Sequence, residues 1–410
     1  MTATDVDTVE LHTWDQVRDA FRAKDLRQAG YTAGHVVTKD TLLDLHGDDH
    51  RQRRRLENRL FRRETFSHWE HHVLGGTIQA TLGPFVEAGQ GDLAQIGYRS
   101  AMNLTATIAG IDHDPTDGEA TEYLYGIVKK FSEGATMMHS TRDPEVVRAE
   151  VREAMGRFET EVFEASVARR QALVDRFDAG ELAEDDLPRD VLTTLLRNHD
   201  RLDLPDDVLL REICFYLQAG AHSTSNAFTH TVNDLLTWGV DHPEDLVLAA
   251  NDLGFAQQCM HESLRLNPSS PVAYRTPLTD VELSDGTFLP AGCQVALVMT
   301  SANRDTSIFG PTGPTYDPHR EVPEGIARWG LSFGAGTHAC IGAELDGGLE
   351  VDMQAETDDN LYGTVAVMVH AFLEAGGRGD PNHPPTLDPN SIRKHFSQYP
   401  VLFGMENGNG

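Results

Sequence analysis

Cysteine is scarce in this sequence, and its few copies lie too far apart to form a structural framework. Cys214, Cys259, Cys293 and Cys340 include no CxxC pair, so neither a structural zinc site nor a disulfide-rich fold is indicated. Thiols without a disulfide pattern suit a reducing compartment, and we therefore expect a cytoplasmic protein.

Long apolar runs are also missing. No stretch approaches the roughly 20 apolar residues that span a bilayer. The opening text, MTATDVDTVELHTWDQ, lacks the basic and apolar regions of an export signal. We expect no membrane partner.

Basic residues are few relative to acids. The chain has 34 lysines and arginines against 64 acids, for a formal net charge of −30, and a polyanion such as nucleic acid would be repelled. The exception is RQRRRLENRLFRR, residues 51–63, which holds seven arginines against Glu57 and the following Glu64. This arginine cluster is either a docking site or a solvated helix face whose arginines pair with those two acids.

Helical periodicity dominates the rest of the sequence. Apolar residues recur every three or four positions over residues 143–177 and 206–238. Strand-like text is scarce and late, in VELSDGTFLPAGCQVALVMT, with turn residues at 285–286 and 290–292. The sequence predicts a mainly α fold with small β-sheets. No linker is visible, so residues 1–410 are expected to form a single domain.

The most informative text is FGAGTHACIG, residues 333–342, which holds one cysteine among three glycines. Gly334 and Gly336 allow backbone angles closed to other residues, and Gly342 allows a flat group to approach the main chain. The thiolate of Cys340 is the metal-binding form of cysteine, and a helix beginning just after it would stabilise the anion. Taken alone, a buried cysteine in a glycine-rich turn is the alternative interpretation.

FGAGTHACIG resembles the haem-binding loop of the cytochrome P450 family, FxxGxxxCxG, at every fixed position. The resemblance implies a cytochrome P450 fold of the soluble bacterial type. It also implies a haem b (iron protoporphyrin IX) whose iron has the Cys340 thiolate as axial ligand, with Phe333 and Gly334 beside the haem. Thiolate ligation favours O–O cleavage, so the cofactor supplies the oxidation chemistry.

Two further motifs follow in the family's order. Glu262 and Arg265, in HESLRLNPSSP, form an ExxR pair on one face of a helix. The text ANRDTSIFGPTGPTYDPHR resembles a family segment that ends in Arg320. An ExxR pair alone is common on solvated helices. The resemblance implies that Glu262, Arg265 and Arg320 form a structural ion cluster behind the haem.

Four residues match the positions at which the family contacts the haem propionates. GDDHRQRRRLENRLF resembles the start of the helix beside the haem, which makes His50 and Arg54 two of them. Arg275, in PVAYRTPLTD, and His338, in the cysteine loop, are the other two. Without the resemblance, each is better explained as a surface or cap residue.

The family's oxygen-activation motif, AGx(D/E)T, is altered here to AGAHST, residues 219–224. Ala219 and Gly220 leave room for oxygen, and the hydroxyls of Ser223 and Thr224 can relay protons. His222 replaces the family's acid. It is the proton donor, since histidine ordinarily titrates near pH 6.5, or it orients a polar or carboxylate substrate, or it is a bystander.

Two departures from the family's pattern bear on the fold. The chain is short before His50, so the first helix and leading strands are expected to be missing or abbreviated, with the loop over the substrate rebuilt from residues 30–44. After the cysteine loop, AELDGGLEVDMQAETDDNLYG replaces the usual helical text and makes the packing there atypical.

The resemblance implies a monooxygenase that inserts one oxygen atom from O2 into a small organic molecule, in specialised metabolism. Its electrons would come from a separate ferredoxin and ferredoxin reductase docking near residues 51–63. The alternatives are other haem-thiolate chemistry (peroxygenation, oxidative coupling or rearrangement) and a non-catalytic carrier-docking partner. The substrate, free or carrier-tethered, would contact residues that share the family's pocket positions: Phe215, Gln218, Ala219, His222, Val272 to Tyr274, and His395 to Phe396.

Overall fold

The computed structural model describes residues 8–202, 204–349 and 360–404. The chain divides into two compact units, and each is built from two separate stretches. The first unit takes residues 1–30 and 227–374, and the second takes residues 31–226 and 375–410. The interpretation of residues 1–410 as one domain stays a prediction.

Helices dominate the described residues, as the periodicity predicted. In chain order they are α1 (Trp14–Arg22), α2 (His35–Thr38), α3 (Gly47–Glu57), α4 (Arg63–His68), α5 (Gly75–Ala88), α6 (Leu93–Ala109), α7 (Gly118–Ala135), α8 (Pro144–Phe158), α9 (Glu164–Asp178), α10 (Val191–Leu196), α11 (His199–Leu202), α12 (Asp206–Trp238), α13 (Pro243–Ala249), α14 (Leu253–Leu266), α15 (Met299–Ala302), α16 (Thr306–Phe309), α17 (Ala343–Gly347) and α18 (Thr364–Glu374). None of the described helices combines the length and apolarity that a bilayer crossing requires.

The two strongest helical predictions are confirmed with one refinement. Residues 206–238 form the single helix α12. Residues 143–177 form two helices, α8 and α9, joined by a π-helical stretch at Glu159–Phe163. Such a stretch adds a residue to one turn, which shifts the apolar face that a constant period would predict.

Short strands complete the fold. They are β1 (Thr8–Leu11), β2 (Leu26–Ala29), β3 (Gln90–Asp92), β4 (Val272–Pro277), β5 (Val281–Glu282), β6 (Phe288–Leu289), β7 (Gln294–Val298), β8 (Arg378–Gly379), β9 (Thr386–Leu387), β10 (Phe396–Gln398) and β11 (Pro400–Leu402). The predicted hairpin at residues 285–286 connects β5 and β6, and the predicted turn at 290–292 leads into β7.

The main sheet of the first unit joins the N-terminal strands to strands of residues 272–298. Its order is β1-β7-β4-β2, with β1 parallel to β7 and β2 antiparallel to β4. The leading strands and first helix, expected to be missing or abbreviated, are therefore present, and each strand has only four residues. Apolar residues of α1 and β7, including Val17, Phe21 and Leu297, belong to one buried core cluster.

In the second unit, the C-terminal stretch forms the short strands β8 to β11. Strands β3, β11 and β8 form one small sheet, and β9 and β10 form an antiparallel pair. The residues before β10 are fixed by main-chain hydrogen bonds: Ile392 N–H donates to His139 O (2.9 Å) and Thr141 N–H donates to Asn390 O (3.0 Å).

The segment after the cysteine loop departs from a continuous helix. Helix α17 ends after five residues, and Gly348 then adopts a φ of +72°. Residues 350–359 of the atypical acidic text lie outside the described residues. On either side of them, Leu349 N–H donates to Leu361 O (2.8 Å), and α18 packs against α14.

Candidate functional site

The predicted ion cluster is present in the first unit. Arg265 donates from Nε to Glu262 Oε2 (2.7 Å) and from Nη2 to Oε1 (2.6 Å), and Arg320 Nε donates to the same Oε1 (2.9 Å). Arg265 has no exposed surface. The other guanidinium N–H groups of the two arginines donate to main-chain carbonyls of Asn303, Phe309, Thr312, Gly313 and Thr315. The cluster therefore ties the long loop after α15 to α14.

Asn303 extends this anchoring to the start of the cysteine loop. Its Nδ2 donates to Arg265 O (2.9 Å), and its Oδ1 accepts from Leu331 N–H (2.8 Å). Ser332 Oγ donates to Leu264 O (2.7 Å). The main-chain carbonyls at the C-terminal end of α14 thus accept hydrogen bonds from the segment that leads into the loop. The loop is held at its beginning by the helix that carries the ion cluster.

The cysteine loop closes on itself. Cys340 N–H donates to Phe333 O (2.8 Å), and Gly334 N–H donates to Leu331 O (2.8 Å). Gly336 has a φ of +70°, and a Cβ there would lie 2.6 Å from Phe21 O, so glycine is required. Cys340 itself is exposed, whereas Cys214 and Cys259 are buried. The alternative interpretation of Cys340 as a buried structural cysteine is wrong.

Two observations test whether this loop fits a haem. A Cβ on Gly342 would meet no heavy atom of the described residues within 4 Å, so the main chain two residues after Cys340 is open to a flat ligand. The exposed thiol beside it is a soft iron ligand. The residues therefore fit the cofactor. A helix begins just after the cysteine, as predicted: α17 starts at Ala343 and has five residues. Stabilisation of the Cys340 thiolate by this helix stays a prediction.

Two of the four predicted propionate residues lie close together beside this loop. Gln28 on β2 is the register partner of Arg275 on β4, and Gln28 Nε2 lies 2.9 Å from His338 Nδ1. Arg275 is buried and its guanidinium lies 5.3 Å from the centre of the Phe21 ring. Gln28 belongs to no sequence motif, and its position beside Arg275 and His338 follows only from the pairing of β2 with β4.

The other two propionate residues, His50 and Arg54, share one face of α3 in the second unit. Burial, with Arg54 and other nearby cations, lowers the pKa of His50 to about 4. The imidazole is therefore neutral at pH 7, and a neutral ring can still donate one N–H to a carboxylate. A role toward a propionate stays a prediction for both residues.

The arginine cluster of residues 51–63 is divided between the interior and the surface. Arg53 is buried and donates to Glu212 Oε2 (2.7 Å), and the fully buried Glu57 accepts from Tyr216 Oη (2.5 Å). Burial and Glu212 raise the pKa of Glu57 well above its ordinary value. Glu57 therefore does not neutralise surface arginines. The exposed members are Arg51, Arg55, Arg59, Arg62 and Arg63.

The altered oxygen motif lies on α12. A Cβ on Gly220 would lie 2.5 Å from Thr105 Oγ1, so this glycine allows close packing of α12 against α6. That Ala219 and Gly220 leave room for oxygen stays a prediction. Ser223 Oγ donates to Ala219 O (2.5 Å), a common helical arrangement that leaves its lone pairs able to accept. Thr224 is buried on the next position.

His222 lies beside a residue that carries no motif. Arg393 Nη1 is 3.3 Å from His222 Nε2, and the His395 ring is 5.2 Å from the His222 ring, both within the second unit. Because arginine can only donate, His222 Nε2 is the acceptor and its proton sits on Nδ1. Burial, with Arg393, Lys129 and His139, lowers the pKa of His222 to about 3. Its expected titration near pH 6.5 is therefore wrong for this site.

The remaining predicted substrate contacts divide between the units. In the second unit, Phe215, Gln218 and Ala219 lie on α12 and Phe396 begins β10. In the first unit, Val272 and Tyr274 lie on β4, each partly buried. Their contact with a substrate stays a prediction.

Comparison with known proteins finds sequence similarity to cytochromes P450. A sequence model of the family described as Cytochrome P450 matches residues 247–345. The Cytochrome P450 monooxygenase PikC of Streptomyces venezuelae is 33% identical over 159 residues, 38% of this chain and 36% of PikC. The self-sufficient cytochrome P450 monooxygenase CYP505E3 of Aspergillus terreus is 28% identical over 178 residues, 37% of this chain and 16% of that protein. The matches thus span about a third or less of these relatives.

Solved structures match over nearly the whole chain. CalO2 has a TM-score of 0.73 at 18% identity, covering 96% of this chain and 90% of that one. P450BioI, in complex with hexadec-9Z-enoic acid ligated Acyl Carrier Protein, has a TM-score of 0.71 at 18% identity, covering 96% and 92%. At this identity the likeness shows the fold alone. The chain thus has the fold of these cytochrome P450 structures, and its residues 247–345, which include Cys340, are similar to the cytochrome P450 family.

Proposed function

We propose that this protein is a haem-thiolate monooxygenase that inserts one oxygen atom from O2 into a small organic substrate in specialised metabolism. The observation that carries the proposal is the exposed Cys340 thiol on a loop fixed by Phe333, Leu331 and Phe21. A ligand thiol must be reachable, and its loop must not move when the ligand binds.

The chain offers distinct residues for each part of the cofactor. Cys340 would hold the iron, and Arg275, His338, His50 and Arg54 would bind the propionates. When bound, thiolate-ligated haem supplies reductive activation of dioxygen. Arg275 is already oriented by β4 and Phe21, so binding a propionate would cost it little side-chain entropy.

Hydroxyl groups are better suited than His222 to deliver protons. With a pKa of about 3, His222 is neutral at pH 7 and holds no proton on Nε2, which accepts from Arg393. Ser223 Oγ donates to its own helix and can accept from another donor. We therefore assign the relay to Ser223 and Thr224, and assign His222 to orienting polar groups.

Ligation is tested by replacing cysteines one at a time. Cys340→Ser should lose the ferrous–CO spectrum of a thiolate-ligated haem, because serine provides a hard oxygen in place of the soft sulfur. Cys293→Ser, a partly buried cysteine in the same unit, is the matched control and should keep that spectrum. A normal thiolate spectrum in Cys340→Ser would refute the assignment.

We further propose that the electrons come from an acidic ferredoxin, itself reduced by a ferredoxin reductase, that docks on the arginine cluster. Five exposed arginines within residues 51–63 form a local positive surface on a chain whose net charge is −30. Opposite charges at such a surface raise association rates and make them sensitive to salt.

Charge reversal tests the docking surface. Arg55→Glu with Arg59→Glu should raise the KM for ferredoxin by about tenfold or more while leaving the ferrous–CO spectrum intact. Reversal of the exposed Arg169 and Arg176 is the matched control and should change KM little. Equal effects of the two pairs would show that net charge, and not this surface, matters.

One observation favours a second reaction. The acid of the family's oxygen motif is replaced by a histidine that is neutral at pH 7, which weakens proton delivery during reductive oxygen activation. Hydrogen peroxide already carries its protons, so a peroxygenase would need less from this position. Product formation with peroxide at a rate matching or exceeding that with ferredoxin would favour the peroxygenase; ferredoxin-only turnover would exclude it.

A further inference from the structure

Arg393 is a buried cation with an unusual set of contacts. Only 8% of its surface is exposed, and it lies between β9 and β10. Its Nη1 meets His222 Nε2, and its Nε is buried with no hydrogen-bond partner among the described residues. Within the described part of its unit, no carboxylate forms an ion pair with it. A buried cation in this state is costly unless an anion reaches it.

The groups around Arg393 are basic or neutral. His139 lies 4% exposed, and its Nδ1 is likewise buried without a partner among the described residues. The ionisable groups that bear on His222 are Arg393, Lys129 and His139, and the one that bears on Arg393 is Tyr31. Burial lowers the pKa of Arg393 to about 10, so it still carries its charge at pH 7. The site is positive, and the described residues of this unit include no carboxylate paired with Arg393.

The main chain holds this site in place. Ile392 N–H donates to His139 O (2.9 Å), Arg393 N–H donates to Ser391 Oγ (3.1 Å), and Asp388 N–H donates to His395 O (2.8 Å). The stretch that carries Arg393 is therefore bonded to the segment that carries His139 and closed by the β9–β10 pair. The guanidinium is positioned before any ligand arrives, which limits the entropy lost on binding.

We propose that Arg393, with His222 and His139 beside it, binds the carboxylate of an organic-acid substrate. This inference rests on the proposed function and names the substrate class for it. Guanidinium and carboxylate match in geometry, since two parallel N–H groups meet two oxygens. A carrier-tethered acyl group has its carboxylate consumed in a thioester, so the site selects a free acid over a tethered one.

The test measures preference for an acid over its amide, which has the same shape without the charge. Ferric holoprotein is titrated by calorimetry with benzoate, phenylacetate, 3-phenylpropanoate and octanoate, each beside its primary amide. We expect at least one acid to bind about tenfold or more tightly than its amide. Arg393→Gln should remove that preference, and Arg393→Lys should retain part of it.

Two controls separate this site from other effects. Arg176→Gln removes one exposed positive charge from the same unit and should leave the acid preference unchanged. The ferrous–CO spectrum of each variant reports haem ligation independently, so loss of thiolate ligation would count against the proposed function and loss of acid preference only against Arg393.

Two outcomes would overturn the inference. One is a wild-type protein that binds no acid more tightly than its amide, a result that stands even if Arg393→Gln fails to fold. The other is an acid preference that survives in Arg393→Gln, which would place the carboxylate elsewhere.

Discussion

Arg265 and Arg393 are both buried arginines, and they differ in how far their hydrogen-bond donors are satisfied. Arg265 has no exposed surface and donates to both oxygens of Glu262 and to main-chain carbonyls. Arg393 is nearly as buried, yet its closest polar partner is a neutral imidazole at 3.3 Å. The same side chain is thus fully satisfied in one place and left with donors to spare in the other.

Whether its donors are satisfied separates a buried arginine with a structural role from one that can bind a ligand. A buried ion cluster whose donors are all used has nothing left for a ligand, and its role is to hold chain segments together. A buried cation with unused donors is a binding group by the same reasoning. Arg53, Glu57 and Glu212 form an intermediate case: one cation faces two buried carboxyls, and burial raises the pKa of both.

The largest expected effect comes from breaking the satisfied cluster. Arg265→Met should lower the free energy of unfolding by about 3–5 kcal/mol and reduce haem content, because Glu262 is left buried with one of its two cations gone. Urea unfolding followed by circular dichroism measures this. Arg27→Met, an exposed arginine of the same unit, should stay within about 0.5 kcal/mol of the wild type. Equal losses in both variants would contradict the structural role.

Arg265 and Arg393 also differ in whether their roles could be predicted from the sequence. Arg265 was predictable because its motif is local: Glu262 lies three residues away on one helix face, and Arg320 follows in a recognisable segment. Arg393 has no such signal, since its partner His222 is 171 residues earlier. Gln28 was missed for the same reason, because strand pairing brings it to Arg275 and His338.

The fold shows the same division. Long helices such as α12 follow from apolar periodicity, which is a local property. Strands β1 and β2 were expected to be missing or abbreviated because the chain before His50 is short for the family. They form by pairing with β7 and β4, more than 200 residues away. The role of Gly220 likewise depended on a distant residue, Thr105.

We expect an effect of intermediate size on the pH dependence of stability, from the cluster of Arg53, Glu57 and Glu212. Glu57 has a raised pKa in the folded chain, so between its ordinary pKa and the raised one the folded chain binds the extra proton and stability falls as pH rises. Glu57→Gln, which imitates the protonated form, should lose less stability between about pH 5 and pH 8, by roughly 1–3 kcal/mol. The measurement is urea unfolding at several pH values.

The exposed Glu64 provides the matched control for that experiment. Glu64→Gln should keep the wild-type slope of stability against pH, because it leaves the buried Glu57 and Glu212 in place. An unchanged slope in Glu57→Gln would mean that Glu57 is ionised at pH 7 and paired with Arg53, and the cluster would then resemble that of Arg265.

The smallest expected effect on stability belongs to Arg393. Arg393→Gln removes a buried charge that no described carboxylate of its unit pairs with, so the free energy of unfolding should change by less than about 1 kcal/mol or rise. A loss of about 3 kcal/mol would show that Arg393 is paired like Arg265. Adding the preferred acid at 100 times its Kd should stabilise the wild type by about 2.7 kcal/mol and the variant by much less. Arg265 would then hold the fold, and Arg393 would be satisfied only by what it binds.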